Sequence, residues 1–227
     1  MARKNTASSK SFGGIIAVVA VAGIAALGYV MSRPTKVLTL DATLPPMSAA
    51  GVVRGNPDAL VQVTEFADFE CPGCGQFATV TEPDVRKRII EPGLASLTFY
   101  DFPLPQHKNS QSAHNAAACA GDQNKFWEMH DRLFAAQDQW NTQATDNPKP
   151  FFQKYASDLG LDAKTWEACY DARKHQGRIL ANMNEGEKRD VGQTPTFIIG
   201  TKKYPGALPY DALKAIVDSA TQKPAAQ

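Results

Sequence analysis

Cysteine and histidine are scarce in this chain, four of each in 227 residues. The histidines, His107, His114, His130 and His175, form no HxxxH pair, and no second CxxC accompanies Cys71 and Cys74. A structural zinc site needs four ligands, usually in two close pairs, so the pattern argues against a metal. His114 and Cys119 are spaced so that one helical face does not hold both. An excess of one charge is missing too. Lys and Arg number 24 against 23 Asp and Glu, which removes the electrostatic case for nucleic acid as a partner. No internal repeat runs through the chain. At 43% hydrophobic and 21% charged, the chain has material for a core and is not globally disordered.

Acids are absent from the first ten residues, MARKNTASSK, which carry Arg3, Lys4 and Lys10. The next stretch, SFGGIIAVVAVAGIAALGYVM, has no charge until Arg33 and Lys36 close it. An apolar run of about twenty residues matches a bilayer-crossing helix. A cleaved signal has a shorter one, about 7–15 residues. Ala26-Leu27-Gly28 still offers small residues of the cleavage-site kind. Residues 12–31 are therefore expected to be a transmembrane anchor or a signal sequence. Residues 1–11 form a basic segment left in the cytoplasm. Everything after Pro34 then lies outside the cytoplasm, where disulfides persist.

Residues 32–50, SRPTKVLTLDATLPPMSAA, read as a spacer in which KVLTL could pair as a short strand. ALVQVTEFADF (59–69) is a strand by its β-branched and aromatic residues. Val61, Val63, Glu65, Ala67 and Phe69 share one face; Gln62, Thr64, Phe66 and Asp68 share the other. Apolar residues on both faces suit a central strand. Pro72 opens a helix, where its missing N–H costs nothing. That helix should reach Ile90, with a kink or break at Pro83. ASLTFYDFPL (95–104) is the next strand. Helical patterns fill about 107–190, with Ser110 or Ser112 as first cap, Gly121 as a stop and Asp162 as a later cap. TPTFIIG is a strand that pairs with KKYPG across a turn near Gly200, and PYDALKAIVDSATQ is an amphipathic closing helix. The expected class is α/β. Residues 51–222 form one domain, a central mixed sheet with the helices of 107–190 inserted; residues 223–227 are a tail.

Cys71 and Cys74, in FECPGCGQF, fall where the first strand gives way to the helix. The first sulfur of such a pair lies beside free backbone N–H groups and the positive end of the helix dipole, and both stabilise a thiolate. The second lies one turn on, in reach of a mixed disulfide on the first. Cys71 is the candidate nucleophile and Cys74 the resolving thiol. Asp68 and Glu70 read as solvated loop charges opposing the thiolate. Cys119 and Cys169 each stand among core-type residues, in AAACAGD and WEACYDA. Trp127, Trp140 and Trp166 read as core or rim residues.

TEFADFECPGC together with GQTPTFIIG resembles the DsbA-like branch of the thioredoxin superfamily, bacterial extracytoplasmic thiol:disulfide oxidoreductases. The resemblance covers about residues 52–220. It implies a thioredoxin-like fold with a helical insertion, and it likens Cys71 to the family's exposed nucleophile. It implies that Pro195 is a cis-proline packed on the reactive disulfide, and that Thr194 offers its backbone to an extended substrate. It implies that Glu65 is a buried acid under the helix, able to take the proton Cys74 must lose. It implies a second, non-catalytic disulfide between Cys119 and Cys169, and a structural role for His107. The family's strongest oxidants carry a histidine where Gly73 stands, so a less oxidising pair is expected.

The implied activity is a dithiol oxidase that passes a disulfide from Cys71–Cys74 to reduced exported proteins through a mixed disulfide. No cofactor and no metal are implied. The implied reoxidant is a membrane quinone-linked partner of the DsbB or VKOR-like kind. A monomer in the bacterial cell envelope is expected, anchored in the inner membrane or released to the periplasm if the span is cleaved. Disulfide isomerase or reductase chemistry on the same fold is the alternative. Such isomerases usually add an N-terminal dimerisation domain, for which residues 32–50 are too short. A non-catalytic chaperone or binding module is the third reading, against which the intact CPGC and Thr-Pro speak.

Overall fold

The computed structural model describes residues 47–221. The expected anchor or signal at 12–31, the KVLTL strand and the 223–227 tail lie outside the described residues. Among the described residues no helix is long and apolar enough to cross a membrane.

Five strands form one mixed sheet in the order β1-β3-β2-β4-β5. They are β1 (Val52–Arg54), β2 (Val61–Ala67), β3 (Ala95–Asp101), β4 (Thr196–Ile199) and β5 (Lys202–Pro205). Only β2 and β3 run parallel, with Glu65 beside Phe99; the other pairings are antiparallel. The β2 strand is central, as its two apolar faces require. β1 has no counterpart in the sequence reading, because three residues with Val53 exposed carry too little pattern.

A parallel pair needs a crossover, and the helical stretch 72–90 supplies it. It consists of α1 (Pro72–Gln76), a wide turn at Phe77–Thr81, α2 (Glu82–Val85) and a second wide turn at Arg86–Ile90. The disturbance expected at Pro83 takes this form. Glu82 N–H reaches back to Phe77 O, and Pro83, with no N–H to give, sits in the first turn of α2.

The insertion comprises α3 (Ser110–Gly121), α4 (Phe126–Ala135), α5 (Gln137–Trp140), α6 (Lys149–Asp158), α7 (Ala163–Asp171) and α8 (Gln176–Lys188); α9 (Tyr210–Thr221) closes the described chain. Asp162 caps α7, its carboxylate accepting from Thr165 N–H at 2.7 Å. At α3 the cap position is Asn109, not Ser110 or Ser112. The reason is tertiary: the Ser110 hydroxyl is drawn to Asp68, while Asn109 donates its amide to Trp140 O and Thr145 O. Cys119 and Cys169 are joined in a disulfide that fastens α3 to α7, with Cα atoms 5.8 Å apart.

On the sheet face that bears Val61, Val63 and Leu97, Phe77, Ile89, Phe197, Leu213 and Val217 pack together. Farther along, Ala67 and Phe99 join Phe69, Leu133, Trp140 and Trp166 from the insertion. Phe66 turns the other way, onto Phe102 and Val191. Each fully buried aromatic contributes roughly 1.5–3 kcal/mol, so the strand-to-helix junction at 68–74 is held from both sides.

Candidate active site

Cys71 is the residue just before α1, in extended conformation, and Pro72 takes the first helical position. Its N–H donates to Asp68 O at 3.0 Å, and its carbonyl accepts from Gly75 N–H at 3.0 Å. Both sulfurs are free thiols. Cys74 is fully buried. Cys71 is 8% exposed, which corrects the expectation of an exposed nucleophile. It is covered because Thr194 and Pro195 lie over it: its thiol donates to Thr194 O at 3.3 Å. The Thr194–Pro195 bond is cis. Gly73 lies under the same proline, where a Cβ would come within 3.3 Å of Pro195 Cδ.

The two thiols diverge sharply in acidity. A hydrogen bond from Cys74, aided by the Thr194 side chain and the N–H groups of Cys74 and Gly73, lowers the Cys71 pKa to about 6 against the opposing effect of burial. Burial, then the neighbouring Cys71, pushes the Cys74 thiol well up. The pair therefore holds one thiolate and one thiol near neutral pH. A pKa depressed on folding adds stability that is complete above the unfolded value and is lost as pH falls through the folded one. The stability of the reduced protein, relative to its disulfide form, should rise from pH 6 to pH 9. Denaturant titrations of both forms across that range check this; parallel profiles would contradict it.

Glu65 sits beneath the pair. It is 2% exposed, and its Oε2 has no hydrogen-bond partner among the described residues. Burial first, then the charge of Glu82, raises its pKa well above the ordinary 4.5. Glu82 and Arg54, which the sequence reading missed, complete the surroundings. Their ion pair measures 2.9 Å, and Arg54 also reaches Asp131 at 3.1 Å. No local signal marked them: Arg54 arrives on β1 and Glu82 on α2. Gln137 was missed for the same reason. From α5 its amide donates to Phe69 O at 2.8 Å and Cys71 O at 3.0 Å, bracing the junction.

Asp68 and Glu70 are not solvated, and that expectation is overturned. Asp68 is 0% exposed. Its carboxylate accepts from Glu70 N–H and Leu104 N–H at 2.8 Å each, from the Ser110 hydroxyl, and pairs with His107 Nδ1 at 2.7 Å. Glu70 is also buried and accepts from Asn109 N–H at 2.9 Å and from Thr142 N–H. A polar loop read alone looks wet. Here the insertion closes over it and supplies donors for every acid oxygen.

Among the described residues two groups bring three metal-type ligand atoms together. In the first, Cys119 and Cys169 are already bonded to each other. In the second, Glu82, His130 and Asp131, the Arg54 guanidinium stands where a cation would.

A family model described as Thioredoxin matches residues 48–219. The chain belongs to the thioredoxin family. It is 25% identical to Disulfide bond formation protein D of Bacillus subtilis over 172 residues, 73% of this chain and 75% of that protein. It is 36% identical over 169 residues to a Salinispora tropica protein named Na(+)/H(+) antiporter NhaA 3, covering 74% of this chain. The matched stretch is 24% of that relative, so the chain spans about a quarter of such proteins' length. The crystal structure of Wolbachia pipientis alpha-DsbA1 superposes with a TM-score of 0.68 at 20% identity, covering 80% of this chain and 96% of that one. The fold is that of the DsbA-like thiol:disulfide oxidoreductases.

Proposed function

We propose that the chain is an extracytoplasmic dithiol oxidase whose Cys71–Cys74 disulfide is donated to exported proteins. The observation that supports this is the arrangement of the pair, with Cys71 opening α1 beneath the cis Thr194–Pro195 bond and Cys74 fully buried behind it, and its acidity is split to match, Cys71 lowered to about 6 and Cys74 raised. In the oxidised protein a substrate thiolate attacks Cys71 Sγ. The Cys71–Cys74 bond breaks, and Cys74 leaves with the electron pair and takes up a proton. A second substrate thiolate then attacks the substrate sulfur of the mixed disulfide, and Cys71 leaves as a thiolate. The substrate has lost two electrons and the protein holds the Cys71 thiolate and the Cys74 thiol. A low pKa makes Cys71 the better leaving group in that last step. The backbone of Thr194, beside Pro195, is in place to meet an extended substrate next to Cys71. A membrane quinone-linked partner of the DsbB or VKOR-like kind would take the two electrons onward. Residues 12–31 would hold the domain, here read as residues 51–222, at the outer side of the inner membrane, or be cleaved to release it.

Glu65 serves as the proton acceptor and donor for Cys74. Glu65→Gln should slow the steps in which Cys74 gains or loses its proton, opening of the Cys71–Cys74 bond and attack of Cys74 on a mixed disulfide at Cys71, by about 10²-fold, the lower range for general acid–base help. The same variant should be more stable than the parent at pH 8. An acid with a raised folded pKa loses its stabilising contribution as pH rises through that value, and glutamine has none to lose. Stopped-flow exchange and melting at two pH values read both effects. An unchanged resolution rate would remove Glu65 from the mechanism.

The reading is tested in cells that lack their own oxidase, alongside refolding of scrambled ribonuclease. Restored disulfide formation without reshuffling of scrambled ribonuclease supports an oxidase. Efficient reshuffling without rescue would make the protein an isomerase.

A further inference from the structure

His107 takes no part in the steps above, yet it stands beside them. The loop between β3 and α3 brings its Nδ1 to 2.7 Å from Asp68 Oδ2. Asp68 is bound to the dithiol through its own backbone: its carbonyl accepts from Cys71 N–H at 3.0 Å, and its N–H points at Cys74 Sγ at 3.5 Å. The ring keeps 17% of its side-chain surface exposed. Asp68, Glu70 and Cys71 are the acidic groups that act on it, and Lys108, next in the chain, is exposed. The Asp68 hydrogen bond is the main reason the His107 pKa is raised, against burial, with the charges of Asp68, Glu70 and Cys71 adding.

We propose that His107, oriented by buried Asp68, is a positioning residue whose imidazolium stabilises the Cys71 thiolate. It supplies from the β3–α3 loop the positive charge that Gly73, between the cysteines, has no side chain to provide. The inference rests on Cys71 being the nucleophile. Charge coupling is reciprocal: what the thiolate adds to the hold of His107 on its proton, the imidazolium adds to the release of the Cys71 proton.

The test uses the full chain. The His107 ring proton is titrated by NMR in the reduced and in the disulfide form, with His107→Gln assigning the resonance. The midpoint should be higher in the reduced form, where the thiolate exists. The Cys71 midpoint, read from thiolate absorbance near 240 nm, should rise in His107→Gln by the same number of pH units. His107→Lys should keep it low. Equal His107 midpoints in both redox forms, or a Cys71 midpoint unmoved in His107→Gln, overturn the inference. Exchange with glutathione is measured on the same samples. Its loss in the parent protein would sink the reading of the site and this inference together, whereas intact exchange with equal midpoints sinks this inference alone.

Discussion

Cys74→Ser should accumulate a mixed disulfide on Cys71, whereas Cys71→Ser should show no exchange at all. The asymmetry follows from burial and acidity. With a pKa of about 6, Cys71 is mostly thiolate at pH 7 and keeps 8% of its surface open. Cys74 has no accessible surface, and its thiol holds its proton. An incoming disulfide therefore meets Cys71 first. Release of the adduct depends on Cys74, one helical turn away, acting as an intramolecular nucleophile. Removing it leaves only thiols from solution, which slows release on the order of 10³-fold or more. Mass spectrometry of unreduced protein after exposure to glutathione disulfide reads the adduct directly. Trapping in Cys71→Ser and turnover in Cys74→Ser would reverse the two roles.

Removing the other disulfide should leave chemistry intact and weaken the fold. Cys119 and Cys169 close a loop with a sequence separation of 50. Opening a loop of this size costs about 2–4 kcal/mol through the unfolded chain. For a domain of this size that is a fall in melting temperature on the order of 10 °C. The Cys119→Ala, Cys169→Ala pair avoids leaving buried hydroxyls. Cys119 lies near the far end of α3 from Ser110, about 13 Å along the helix axis, so the contacts around Asp68 should persist. Exchange measured well below the transition should match the parent. A melting temperature unchanged within error would show that the packing of α3 on α7 suffices without the bond.

Much of the fold was legible because its signals are local. Alternation in VQVTEFA marks β2, Pro72 marks the start of a helix, and Asp162 marks a cap. β1 was not legible: Val52–Arg54 becomes a strand only because β3 offers it an edge. The N-cap of α3 was misread because the Ser110 hydroxyl, a good cap by composition, is turned to donate to Asp68, far away in the chain.

The sequence by itself determined the chemistry available to this protein: a CPGC pair at the junction of a strand and a helix, a Thr-Pro before a later strand, and a helical block between them. Only the tertiary structure decided how that chemistry is tuned. It placed Glu65 out of contact with water beside Glu82 and Arg54, laid Thr194 and Pro195 over Cys71, and closed the insertion over Asp68 and Glu70. The physical reason is that acidity depends on solvation and on charges brought from distant elements. Spacing along a chain reports neither.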